Sequence, residues 1–127
     1  MKTRDPPETV AVAREDVPCA MRKSLVATSS PPVVISEFGG GALAGRHGKT
    51  DERWTEEMQR AIYEANIRMF GRIEGLAGVN PWVLTDFRSP RRPLAGVQDD
   101  YNRKGLFSPD GREKLAAETI RRFYETK

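Results

Sequence analysis

The segment Pro32-Val33-Val34-Ile35-Ser36-Glu37-Phe38 constrains this chain more than any other. Its apolar run, followed at once by Gly39-Gly40-Gly41, reads as a strand buried on both faces. A strand of that kind belongs to a parallel sheet, and α/β folds gather ligands and catalytic groups at the C-terminal ends of such strands. Glu37 lies at that end. A carboxylate is costly to desolvate there, which marks it as a candidate functional group.

Around this strand the chain divides simply. Residues 1 to about 17 carry charge and proline without a period and read as a loose leader, and a short helix is possible over about 18–27. Ser29-Ser30-Pro31-Pro32 separates that leader, residues 1–30, from the ordered part, residues 31–127. After a glycine-rich loop, Trp54, Met58, Ile62, Ala65, Met69 and Ile73 recur at steps of three and four and predict a helix with those residues facing the core. Gly71, Gly75 and Gly78 are expected to loosen and end it.

Pro81-Trp82-Val83-Leu84-Thr85-Asp86-Phe87 reads as a second buried strand, with Asp86 near its C-terminal end as Glu37 is near the end of the first. Residues 88 to about 111 form a long loop rich in Arg, Pro, Gly and Asp. A last helix is expected over about 112–125, with Leu115, Ala116, Thr119, Ile120, Phe123 and Tyr124 along one stripe. The order strand, loop, helix, strand, loop, helix is the layout of two consecutive units of a (β/α) barrel, with both candidate acids at the face where such barrels place their sites.

Composition removes several classes of function. Cys19 is the only cysteine and His47 the only histidine, so an internal disulfide framework, a multi-cysteine zinc site and a three-histidine metal site are all excluded. No cofactor is expected. The net charge of +3 and the cluster Arg88-Ser89-Pro90-Arg91-Arg92 invite a nucleic-acid reading. No aromatic-interleaved basic motif accompanies the arginines, and elsewhere acids and bases alternate along helices as on solvated faces. Neither a membrane-spanning run nor the apolar core of a signal peptide is present, so the default location is the cytoplasm.

Three segments carry a family resemblance. Ser36-Glu37-Phe38-Gly39 with Ala44-Gly45-Arg46-His47 and Trp54-Thr55-Glu56-Glu57, then Trp82-Val83-Leu84-Thr85-Asp86-Phe87, then Tyr101-Asn102-Arg103-Lys104-Gly105-Leu106-Phe107 resemble, in order, the closing part of the catalytic domain of glycoside hydrolase family 2. The β-glucuronidase and β-galactosidase branch fits best. The resemblance implies an α/β fold, the last two βα units of a (β/α)8 TIM barrel with a C-terminal helix. It also implies a retaining β-glycosidase acting on a β-glycoside or glucuronide.

Under that resemblance Glu37 is the nucleophile, which attacks the anomeric carbon and forms a glycosyl ester later hydrolysed by water. Trp82 is an apolar platform for the sugar, or else a core tryptophan at a strand end. Asp86 contacts sugar hydroxyls, or else braces the loop through Arg88, Arg91 or Arg92. Asn102 and Lys104 form the Asn-x-Lys pair that holds a uronate carboxylate in β-glucuronidases, with Arg92 assisting. The plainer reading of Lys104 is a solvated loop residue.

The sequence departs from the family in length and in one essential group. A (β/α)8 barrel needs about 200 residues or more, and the family's Asn-Glu pair bearing the acid/base is absent from this chain. The expectation is therefore a C-terminal fragment, inactive alone, whose partner would be the N-terminal part of the same enzyme. The alternatives are a non-catalytic carbohydrate-binding or inactive remnant and a P-loop ATPase. The latter resemblance, through Gly48-Lys49-Thr50, fails because Leu43 stands where the motif needs glycine.

Overall fold

The computed structural model describes residues 31–127; the expected leader and the short helix over 18–27 lie outside the described residues. Strand β1, Val33–Phe38, runs parallel to β2, Leu76–Pro81, and helix α1, Glu56–Phe70, connects them. Val33 sits opposite Leu76, Ile35 opposite Val79 and Phe38 opposite Pro81. Two residue pairs, Phe87–Arg88 as β3 and Tyr101–Asn102 as β4, then form a small antiparallel ladder before the final helix α2, Leu115–Glu125.

Helix α1 begins where local chemistry says it should. The Thr55 hydroxyl oxygen accepts the Met58 backbone N–H at 3.1 Å, and Glu56 and Glu57 place negative charge at the positive end of the helix dipole. Its buried face, however, is not the predicted one. Glu56, Gln59, Tyr63 and Phe70 are buried, whereas Met69 is 46% exposed and Ala65 also faces outward. The periodicity located the helix but not its orientation, because two polar side chains on the buried face hold backbone groups of other segments.

The second strand also differs from expectation. Pro81 ends β2 instead of opening it, and Gly78 lies inside the strand opposite Val34. Residues 76–81 are poor strand formers read alone. They are strand because β1 supplies the pairing partner, a tertiary contact that overrides local propensity. Residues 83–86 instead run beside 104–107: Leu106 N–H donates to Val83 O and Phe107 N–H to Leu84 O, both at 2.9 Å. The expected long loop therefore contains β4 and this second line of backbone pairing.

Burial is concentrated between the helices. Tyr63, Leu106, Ala116, Ala117 and Ile120 form the core, with Phe38, Ile67 and Phe107 packed against it. Phe38 meets Phe70 edge-on, ring centroids 4.8 Å apart, and Tyr63 at 5.4 Å. The sheet is more open than the apolar run implied. Val33 is 40% and Val34 61% exposed, so β1 is not buried on both faces here.

Candidate functional site

The C-terminal end of β1 opens into a cavity of about 410 Å³ lined by Glu37, Phe38, Gly39, Trp82, Arg92, Asn102 and Lys104. Five of the six residues singled out in the sequence thus share one cavity wall; Asp86 is not among them. Glu37 is exposed in this cavity, so its functional reading rests on position and not on the cost of desolvation.

Backbone contacts bring these residues together. The Trp82 N–H donates to Phe38 O at 2.8 Å, placing the indole beside the end of β1, where Phe87 meets it edge-on at 6.1 Å. The Trp82–Val83 peptide is cis. Gly39, at φ +138°, allows this close approach. A Cβ there would lie 2.5 Å from the Tyr63 hydroxyl oxygen and 3.1 Å from Trp82 O.

Asn102 comes from β4 and is buried, and the Lys104 backbone N–H donates to its Oδ1 at 3.0 Å. That bond engages the acceptor end of the amide and leaves Nδ2 as its donor end. Arg92 is fixed through its backbone, its N–H donating to Ser89 O and its carbonyl accepting Asp100 N–H, each at 3.0 Å. The cavity thus combines one carboxylate, an aromatic face, an amide donor and two cationic side chains. Such a set suits a ligand with apolar ring faces and an anionic substituent.

Beneath the cavity lies a buried polar frame that sequence reasoning missed. Gln59 donates through Nε2 to Gly40 O at 2.9 Å and to Gly105 O at 3.0 Å. Glu56 accepts Gly45 N–H at 2.7 Å and Leu115 N–H at 2.9 Å, capping α2 from a distance. Lys114 donates to Ala42 O at 2.7 Å, Asp86 Oδ1 at 2.8 Å and Arg103 O at 3.2 Å. Burial pulls its pKa below the ordinary lysine value, against the opposing pull of the Asp86 hydrogen bond.

Asp86 belongs to this frame. Its side chain is fully buried; Oδ1 also accepts Gly105 N–H at 2.8 Å, and Arg103 approaches Oδ2 at 3.5 Å. It braces the loop, as the plainer sequence reading held, but through Lys114 and Arg103 and not through Arg88, Arg91 or Arg92. Read with a helix from about 112, the sequence carries no signal for Lys114; at its actual place, the N-cap of α2, a lysine opposes the dipole and lacks the usual capping oxygen, so it needs a partner elsewhere. Among the described residues no group of three or more His, Cys, Asp or Glu side chains could hold a metal ion.

No family model matches the chain. A curated β-glucuronidase of Streptococcus agalactiae serotype V is 32% identical over 95 residues, covering 75% of this chain and 15% of the relative. A β-glucuronidase of Mus musculus is 29% identical over 99 residues, again 15% of its length. The chain thus spans about 15% of the length of these curated relatives. The crystal structure of Ruminococcus gnavus β-glucuronidase aligns with TM-score 0.70 and 31% identity, covering 84% of this chain and 18% of that one. A family 2 β-galacturonidase from Eisenbergiella tayi bound to galacturonate aligns with TM-score 0.68 and 25% identity, over 85% and 20%.

Proposed function

Because this chain is related to glycoside hydrolase family 2 enzymes of the β-glucuronidase and β-galacturonidase type, we propose that its cavity is the nucleophile side of a retaining β-glycosidase site shaped for a uronic acid. The observation that carries this is the convergence of Glu37, Trp82, Arg92, Asn102 and Lys104 on one cavity. In this reading β1, α1, β2 and α2 belong to the last two βα units of a (β/α)8 barrel. The parallel β1–α1–β2 order, with the cavity at the C-terminal end of β1, supports that assignment.

The chemistry follows from the wall. A Glu37 carboxylate oxygen attacks the anomeric carbon and forms an ester, while the bond to the leaving oxygen breaks and carries its electron pair away. The sugar ring lies against Trp82. Its carboxylate meets the Lys104 ammonium and the Asn102 amide protons, with Arg92 supplying further positive charge. A neutral galactoside offers the two cations nothing to pair with.

Among the described residues lining the cavity, Glu37 is the only carboxylate. A poor leaving group would depart unprotonated, and loss of general acid catalysis slows such a step by roughly 10²–10⁴-fold. The chain by itself is therefore expected to be inactive toward alkyl glucuronides. Fluoride needs no proton to leave, so a 2-deoxy-2-fluoro-β-glucuronosyl fluoride tests the nucleophile alone. The expected result is one glucuronosyl adduct by intact mass, mapped to the peptide containing Glu37 and absent in Glu37→Gln. Glucuronate binding without an adduct would favour a binding-only remnant, and an adduct elsewhere would overturn the role of Glu37.

A further inference from the structure

The backbone around Lys104 is held from beneath at successive points. Arg103 O accepts both Ala42 N–H at 2.9 Å and Lys114 Nζ at 3.2 Å. Gly105 N–H donates to Asp86 Oδ1 at 2.8 Å, and Gly105 O accepts Gln59 Nε2 at 3.0 Å. Lys104 itself lies between these pins, its N–H on Asn102 and its carbonyl accepting Val83 N–H at 3.2 Å. A Cβ at Gly105 would collide with Asp86 N, Thr85 C and Asp86 Oδ1, so the fit tolerates no bulk.

We propose that the buried Lys114–Asp86 pair is a specificity-positioning device, setting Asn102 and Lys104 at the separation that reads a uronate carboxylate although neither member lines the cavity. This rests on the uronate reading given above. The pair's side chains are both fully buried, and Lys114 also reaches Ala42 O, in the segment that follows the Glu37 strand. One ammonium therefore joins the segment after the nucleophile strand to the segment carrying the carboxylate readers. A freely moving loop lysine would attract anions without fixing their geometry; a pinned one discriminates by geometry as well.

The test compares the affinity ratio of glucuronate to glucose, measured by titration calorimetry on the whole chain, for wild type, Lys104→Ala and the double variant Asp86→Leu/Lys114→Met. Apolar replacement of a buried pair often preserves stability. The ratio is expected to fall about tenfold in the double variant, the order of one charge-assisted hydrogen bond, and no further when Lys104→Ala is added. A merely structural role would weaken both sugars alike and leave the ratio unchanged, which overturns the proposal. Should the double variant fail to fold, Asp86→Asn takes its place, with Gly105 amide exchange expected to quicken at least tenfold and the ratio to fall with it; unchanged exchange or an unchanged ratio counts against the pair. A wild type without uronate preference defeats the functional reading and this inference together. A preference carried by Lys104 but indifferent to the pair defeats this inference alone.

Discussion

Gly39→Ala is the sharpest single test of how the cavity is built. The native φ of +138° lies in a region essentially reserved for glycine, and an alanine held there costs about 1–3 kcal/mol. The new methyl would also stand 2.5 Å from the Tyr63 hydroxyl oxygen and 2.9 Å from its ring carbon, where ordinary contact is 3.4–4 Å. Tyr63 is fully buried and packs against Phe38, so its ring cannot swing away without disturbing the core, which adds about 1–3 kcal/mol. The sum, about 2–6 kcal/mol, is a large share of a stability of roughly 5–15 kcal/mol. Urea unfolding followed by Trp fluorescence should show a lower midpoint with an unchanged slope. In a Tyr63→Phe background the loss should shrink, because the nearest clashing atom is gone while the Trp82 carbonyl and the φ penalty remain. A Gly39→Ala chain within about 0.5 kcal/mol of wild type, the scale of an ordinary surface substitution, would refute this account of the turn after β1.

Three further outcomes follow from the buried frame and its edge. Gln59→Leu removes both donors to Gly40 O and Gly105 O and should lose about 1–3 kcal/mol by chemical denaturation. Glu56→Gln weakens the bonds from Gly45 and Leu115 N–H and the favourable charge at the start of α1. A loss of about 1–2 kcal/mol, with less helical signal near α2 by circular dichroism, is expected. The exposed His47–Glu57 pair raises the His47 pKa from its ordinary 6.5, chiefly through the hydrogen bond, and lowers that of Glu57 from 4.5 for the same reason. The histidine contribution is fully present below pH 6.5 and fades as pH rises through the raised value; the glutamate contribution is present above pH 4.5 and fades as pH falls through the lowered one. The melting difference between wild type and His47→Gln should therefore be greatest between these pH values and shrink with salt, and a pH-independent difference would contradict it.

The sequence revealed elements better than faces. β1 was legible because valine and isoleucine run together before a glycine break, and α1 because its apolar residues recur with helical spacing. The inward face of α1 was not, since Glu56 and Gln59 are buried by bonds to backbone groups of loops at residues 40, 45 and 105 and of the start of α2 at residue 115, which periodicity does not register. β2 was displaced in the reading because Leu76–Pro81 contains glycine and proline and gains its extended form from β1. Within the candidate site, Glu37 could be singled out by its place at the end of a strand, whereas Trp82, Arg92, Asn102 and Lys104 were marked by the family resemblance. Asp86 could not be placed between cavity and frame without knowing that Lys114, 28 positions away, would reach it.

The frame beneath the cavity grips main chain. Gln59 and Lys114 end on the carbonyls of Gly40, Ala42, Arg103 and Gly105, and Asp86 receives a backbone N–H. Such anchors recognise the course of the chain and not the identity of the side chains it displays. The side chains displayed at positions 92 and 104 can therefore change while the scaffold that presents them stays in place. The groups that the wall displays and the path of the chain that displays them are thereby set by different residues.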